Sequence, residues 1–212
     1  MMQNVNHTLT KSKGYRVNFL AHSLFAQGNS ERLAGQFAGD FVRGSDLSQY
    51  REGIQLGIRM HRFIDHYTDH HAAAVQLRDL FKPPVRRFAG IVTDVVFDHY
   101  LARDWSRYSS VPLAEHVAHV HQSLEEHQDE LPDNLNRFVA FLKREKVLES
   151  NVSFDSVELT LQRLSQRSAS FSPLASGAAI ALEHEAEILS VFKIFFPELI
   201  QAANEHRAKL IN

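Results

Sequence analysis

Apolar residues recur at helical spacing in one segment after another of this chain. Nowhere do they alternate with polar residues at period two between turn signals. This pattern limits the fold more than any other feature. A stripe that repeats every 3.6 residues is buried by a helix, whereas a half-buried strand needs a period of two. Glycine (9) and proline (6) are scarce for 212 residues, which disfavours an all-β chain with many tight turns. The reading is an all-α, single-domain helical bundle, long enough to bury a sizeable core.

The segments follow in order. Residues 1–16 are polar and aperiodic and read as a loose arm, leaving residues 17–212 as the domain. Helical spacing covers 18–27 and 30–43, with Ser30 as the expected N-cap before Glu31. It continues over about 47–69 and over 70–81, where Pro83-Pro84 stops it. Residues 85–104 are apolar on more than one face, as expected of a central helix. A charged amphipathic helix then runs from Pro112 to about Glu130. Another opens at Pro132-Asp133 and ends near Lys146. Residues 149–156 read as a linker, and 154–168 and about 177–207 as helices, with Phe192, Phe195 and Phe196 in a core cluster.

Composition closes several functional classes. Without cysteine there is no disulfide, no zinc–thiolate site and no cysteine nucleophile. Lys and Arg total 23 against 25 Asp and Glu, a net charge of −2. That balance gives no general nucleic-acid footprint, although a local basic face is compatible with it. No run approaches the ~18 apolar residues of a membrane span, and the N-terminal residues contain no apolar secretory core. The expectation is a cytoplasmic protein without nucleic-acid or membrane partners.

Any metal site must then be built from His, Asp and Glu. Of 13 histidines, five lie between His61 and His99. His61, Asp65 and Asp69 are four residues apart in turn, so each successive pair shares a helix face. Asp94 and Asp98 share a face of the most apolar segment, where two like charges need something positive beside them, a cation or an arginine. His22 and Asp40 each sit inside an apolar stretch. Such donors without thiolate suit Mn²⁺, Fe²⁺, Mg²⁺ or Zn²⁺, metals that activate water and polarise phosphoryl oxygens. Against this, a His–Asp pair at helical spacing is more often a plain salt bridge. His66, His70 and His71 read as solvated residues at a helix end, and His116, His119, His121 and His127 lie among charges on an amphipathic helix, where a chemical role is not expected. Spacing alone stops at an all-α chain with a candidate His/Asp metal site.

A set of motifs goes further. Asn18-Phe19-Leu20-Ala21-His22 and Gly39-Asp40-Phe41-Val42-Arg43-Gly44 resemble the acyl carrier protein phosphodiesterase family. So do Gly57-Ile58-x-Met60-His61-Arg62-x-Ile64-Asp65-x3-Asp69, Arg86-Arg87, Asp94-x3-Asp98-His99 and Trp105, in the family's order through the first half of the chain. The chain departs from the family in Gly35-Gln36, where Gly-Asn is frequent, and in about sixteen residues before the motif start. The resemblance implies an all-helical, HD-domain-like phosphodiesterase. Its substrate would be holo-acyl carrier protein, its products apo carrier protein and 4′-phosphopantetheine, and its metal manganese, with magnesium or iron as substitutes. By position it implies His22, Asp40, His61, Asp65 and Asp98 as metal ligands and Asp94 and His99 as catalytic groups. Arg43 and Arg62 would bind phosphate, and Arg86 and Arg87 the carrier protein. Two rivals remain on the sequence: an HD-like phosphohydrolase of nucleotides or other phosphoesters, and a helical binding protein that has lost catalysis. Oligomeric state is not legible.

Overall fold

A computed structural model describes residues 18–211, so the expected N-terminal arm, 1–16, lies outside the described residues. These contain no strand, as the periodicity requires. In order the helices are α1 (Phe19–Leu24), α2 (Ser30–Ala38), α3 (Glu52–His70), α4 (Ala72–Gln76), α5 (Ala89–Arg103) and α6 (Leu113–Glu126). Then come α7 (Asp133–Arg144), α8 (Val147–Ser150), α9 (Asp155–Ser165), α10 (Gly177–Glu183) and α11 (Glu185–Ile211). No helix among the described residues is long and apolar enough to cross a membrane.

Helix α5 is the central element. Every residue from Val92 to Ala102 is buried, which explains the lack of a polar face in its sequence. The C-terminal aromatics close over it: Phe97 lies 5.2 Å from Phe192, and Phe192 stacks on Phe196 at 5.1 Å. Removing a buried aromatic of this kind costs about 3–5 kcal/mol. Helices α2 and α3 pack closest of all. A Cβ added at Gly57 would lie 2.7 Å from the Gly35 Cα, so neither position tolerates a side chain without separating the helices. Glycine weakens an isolated helix by about 1 kcal/mol, and here close backbone approach is what the weakening permits.

Local chemistry moved several boundaries. Asn29, not Ser30, caps α2, its side chain accepting the Arg32 amide at 2.9 Å. Residues 70–81 are not one helix: His71 turns extended, and α4 is followed by a 3₁₀ turn at Leu77–Leu80. Part of the expected linker at 149–156 is helical, as the end of α8. The segment from 177 breaks at His184, whereas Pro197 is accommodated inside α11.

Candidate metal centre

Helix α1 is only six residues long, too short to be stable alone, and its first amides have no partner within it. Asp98 of α5 supplies one. Its two carboxylate oxygens accept the amides of Leu20 at 2.8 Å and Ala21 at 2.9 Å. This contact fixes His22 against the bundle. Burial pushes the Asp98 carboxyl up to about 7, against the pull of those two amides.

His61 lies on the buried stripe of α3, in register with Ile54, Ile58 and Ile64, and therefore points inward. Its ring stacks on that of His22 with centroids 4.0 Å apart. Gly39, just after α2, lets the ring lie flat against the backbone, because a methyl group at that position would overlap it. Asp65, one turn after His61, spans both rings. Its Oδ1 is 3.3 Å from His22 Nε2 and its Oδ2 3.3 Å from His61 Nε2. Asp40 closes the group, with Oδ1 3.4 Å from His61 Nε2. On the far side, His22 Nδ1 faces Gln36 Oε1 at 3.1 Å. A ring nitrogen donating there leaves Nε2 with a free lone pair, the tautomer that ligates a metal.

Both histidines are almost fully buried, while Asp40 and Asp65 are about one-fifth to one-quarter exposed. Neither imidazole Nε2 makes a hydrogen bond among the described residues. Burying such groups unsatisfied is costly. A cation held at about 2.0–2.2 Å sets neighbouring ligands about 3–3.6 Å apart, and the distances above match that spacing. One atom each of His22, His61 and Asp65 fall within 4.8 Å of one another. The donor set thus fits a hard or borderline divalent cation. Electrostatics agree. Burial, then the neighbouring His61 charge, holds His22 below its ordinary range. Burial also opposes a charge on His61, but the carboxylates of Asp40 and Asp65 outweigh it and raise that ring to about 9. Burial would raise Asp65, yet the two rings hold it well below the usual carboxylate range.

Four of the expected site residues, His22, Asp40, His61 and Asp65, therefore converge. Others go elsewhere. Asp98 accepts the α1 amides on both oxygens and lies outside the group of His22, His61 and Asp65. His99 contacts other groups, its Nδ1 on the Asn151 carbonyl at 2.8 Å and its ring edge-on to Phe154. Asp94 is buried. Arg62 reaches the Val42 carbonyl at 3.0 Å and so pins the loop that carries Asp40 and the exposed Arg43. Arg86 and Arg87 are exposed, with Arg86 paired to Asp79 and Arg87 bonded to the Ser170 carbonyl, both at 2.6 Å. His116, His121 and His127 are buried, turned toward Ser23 of α1, Glu149 of α8 and Ser30 at the start of α2. Gln36 is the functional contact that spacing could not reveal; only its place on the inner face of α2 hinted at it.

A bundle with a buried His–His–Asp group, reached through a partly exposed carboxylate, has the make-up of a helical hydrolase. The family model described as acyl carrier protein phosphodiesterase matches residues 17–199, and the chain belongs to that family of phosphodiester hydrolases. Relatives named acyl carrier protein phosphodiesterase include one from Photorhabdus laumondii, 31% identical over 188 residues, spanning 88% of this chain and 95% of that one. Those of Klebsiella pneumoniae strain 342 and Enterobacter sp. strain 638 are each 33% identical, over 88% and 89% of this chain and 97% and 99% of theirs. No solved structure matches.

Proposed function

We propose that this chain hydrolyses the phosphodiester between the serine of holo-acyl carrier protein and 4′-phosphopantetheine, using a divalent cation held by His22, Asp40, His61 and Asp65. The observation that carries the reading is the convergence of two buried imidazole Nε2 atoms and the Asp65 carboxylate in a member of this family. A divalent cation held there, manganese in our reading, would polarise a phosphoryl oxygen and lower the pKa of water.

The chain's own residues do the rest. Gln36 Oε1 accepts a hydrogen bond from the His22 Nδ1–H and so aims Nε2 inward. Asp40, at the open side of the group, takes the proton of the attacking water on its second oxygen. Water adds to phosphorus, the bond from phosphorus to the serine oxygen breaks, and that oxygen leaves as the hydroxyl, its proton balanced by the one that Asp40 took and returns to solvent. Phosphopantetheine departs as the monoester. Arg43, exposed beside Asp40, meets the phosphate, while Arg62 holds the loop in place. The exposed Arg86 and Arg87 form a basic rim for an acidic carrier protein, steering association where net charge gives no help. The reading places the enzyme in the cytoplasm, with its substrate. The HD-type relation rests on the family resemblance alone.

The test is incubation of the purified chain with holo carrier protein and Mn²⁺, following the carrier's mass. Loss of the phosphopantetheine mass, abolished by His61→Ala, is expected. Bound Mn²⁺ without turnover of the carrier, together with turnover of a nucleotide phosphoester, would replace this substrate with the rival one.

A further inference from the structure

On the side of Gln36 away from His22 lies a small cleft between α2, α3 and the end of α11, open to solvent at its mouth and with room behind the mouth for about one water molecule. Phe25, Leu56, Met60 and Leu210 make its apolar wall, and Arg32, Gln36 and Arg207 are its polar side chains. Every one of those polar groups can serve as a donor. Both arginines are half-buried, and among the described residues no carboxylate lies within ion-pair distance of either guanidinium. The Arg32 guanidinium makes no hydrogen bond among the described residues. Arg207 uses two donors, one on the Phe25 carbonyl and one on Asn204 Oδ1, both at 2.8 Å, which leaves others of its five free. Gln36 is 1% exposed, and its amide nitrogen is buried without a partner. Its oxygen is committed to His22, so its two N–H groups must be satisfied elsewhere.

Two guanidinium groups brought together without a counter-charge repel each other. Burial, and then the Arg32 charge, lower Arg207 from its ordinary range. Folding sustains such an arrangement at a cost that an anion between the two would offset. Guanidinium forks match the oxygens of a phosphate group in paired hydrogen bonds, and the stranded Gln36 amide adds a neutral donor at the closed end.

We propose that this cleft is a binding site for a small phosphate-class oxyanion, held by Arg32, Arg207 and the Gln36 amide and separate from the His–Asp group. The ligand is inorganic phosphate or the terminal phosphate of a small monoester. The site is independent of the metal reading, because none of its three side chains need touch a cation. Its position makes it a neighbour of the centre all the same: an anion on the Gln36 amide nitrogen holds the amide oxygen on His22.

The experiment is calorimetric titration of the full chain at low ionic strength, with and without Mn²⁺, using inorganic phosphate, glycerol phosphate and sodium chloride as separate titrants. Saturable binding of one phosphate per chain is expected, present without Mn²⁺, retained in Asp65→Asn and absent for chloride. Arg32→Gln removes a guanidinium that makes no internal bond, so the fold should be kept. Its phosphate affinity should drop at least tenfold, with the circular dichroism spectrum unchanged and the phosphate-free melting midpoint raised, because the repulsion with Arg207 is relieved. Binding of glycerol phosphate as well identifies a site open to monoesters, and binding of phosphate alone identifies the free ion; either supports the assignment. Phosphate binding that requires Mn²⁺, or that survives Arg32→Gln undiminished, would place the anion at the His–Asp group and overturn it. So would the absence of saturable binding up to tens of millimolar.

Discussion

His116 ties the stability of the metal-bearing helix to pH. Its Nε2 lies 2.8 Å from the Ser23 hydroxyl, which itself donates to the Leu20 carbonyl at 2.7 Å. The serine proton is therefore used, and the imidazole Nε2–H is the donor to Ser23, one residue from His22. Burial first, and the nearby His119 charge second, push His116 down to about 4 from an ordinary 6.5. A ring with a depressed folded pKa lends stability that is full above 6.5 and is lost as pH falls from 6.5 toward 4. At 1.36 kcal/mol per pH unit that window corresponds to about 3 kcal/mol, a large part of the 5–15 kcal/mol typical of a domain. His116→Gln keeps an N–H for Ser23 but does not titrate. Urea unfolding of both proteins between pH 7.5 and 4.5 isolates the effect, since every other titrating group is shared. The wild type should lose about 2–3 kcal/mol more than the variant over that range. Parallel curves would refute the reasoning and mean that the ring is solvated or protonated in the fold.

Three further outcomes follow from the same geometry. Asp98→Ala strands two buried amides at about 1–3 kcal/mol each, partly offset by removal of a carboxyl that burial raises. A net loss of roughly 2 kcal/mol in urea unfolding is expected, with Mn²⁺ still bound by the folded variant; a folded variant without metal would return Asp98 to the ligands. Gln36→Leu releases the His22 tautomer and should weaken Mn²⁺ about 10–100-fold, read by titration calorimetry, with Gln36→Asn giving partial recovery. Gly39→Ala is compatible with its helical backbone, but its methyl group drives the His61 ring out of the stack. Mn²⁺ affinity should fall at least tenfold, and an unchanged affinity would show that the ring has room to move.

The sequence by itself determined the helical class and the central helix. It also determined the pair His61 and Asp65, because each of these follows from spacing along one segment: 3.6 residues per turn places side chains on a common face before any packing occurs. Absence of cysteine likewise limited the metal donors to imidazole and carboxylate. What spacing cannot carry is the relation between faces of different helices. Asp94 and Asp98 looked like a second half of the metal site because two carboxylates share an apolar face. In the fold, burial raises the Asp98 carboxyl and its oxygens accept two amides of α1, a partner that spacing along one helix does not reveal. The histidines after Pro112 could be placed in the sequence only among charges on an amphipathic helix, because their burial depends on what packs against that helix. Gln36 could be seen in the sequence only as a polar residue on an apolar face. That it orients His22 on one side and borders an arginine-lined cleft on the other was decided by the close approach of α2 and α3 at Gly35 and Gly57, which only the tertiary structure sets.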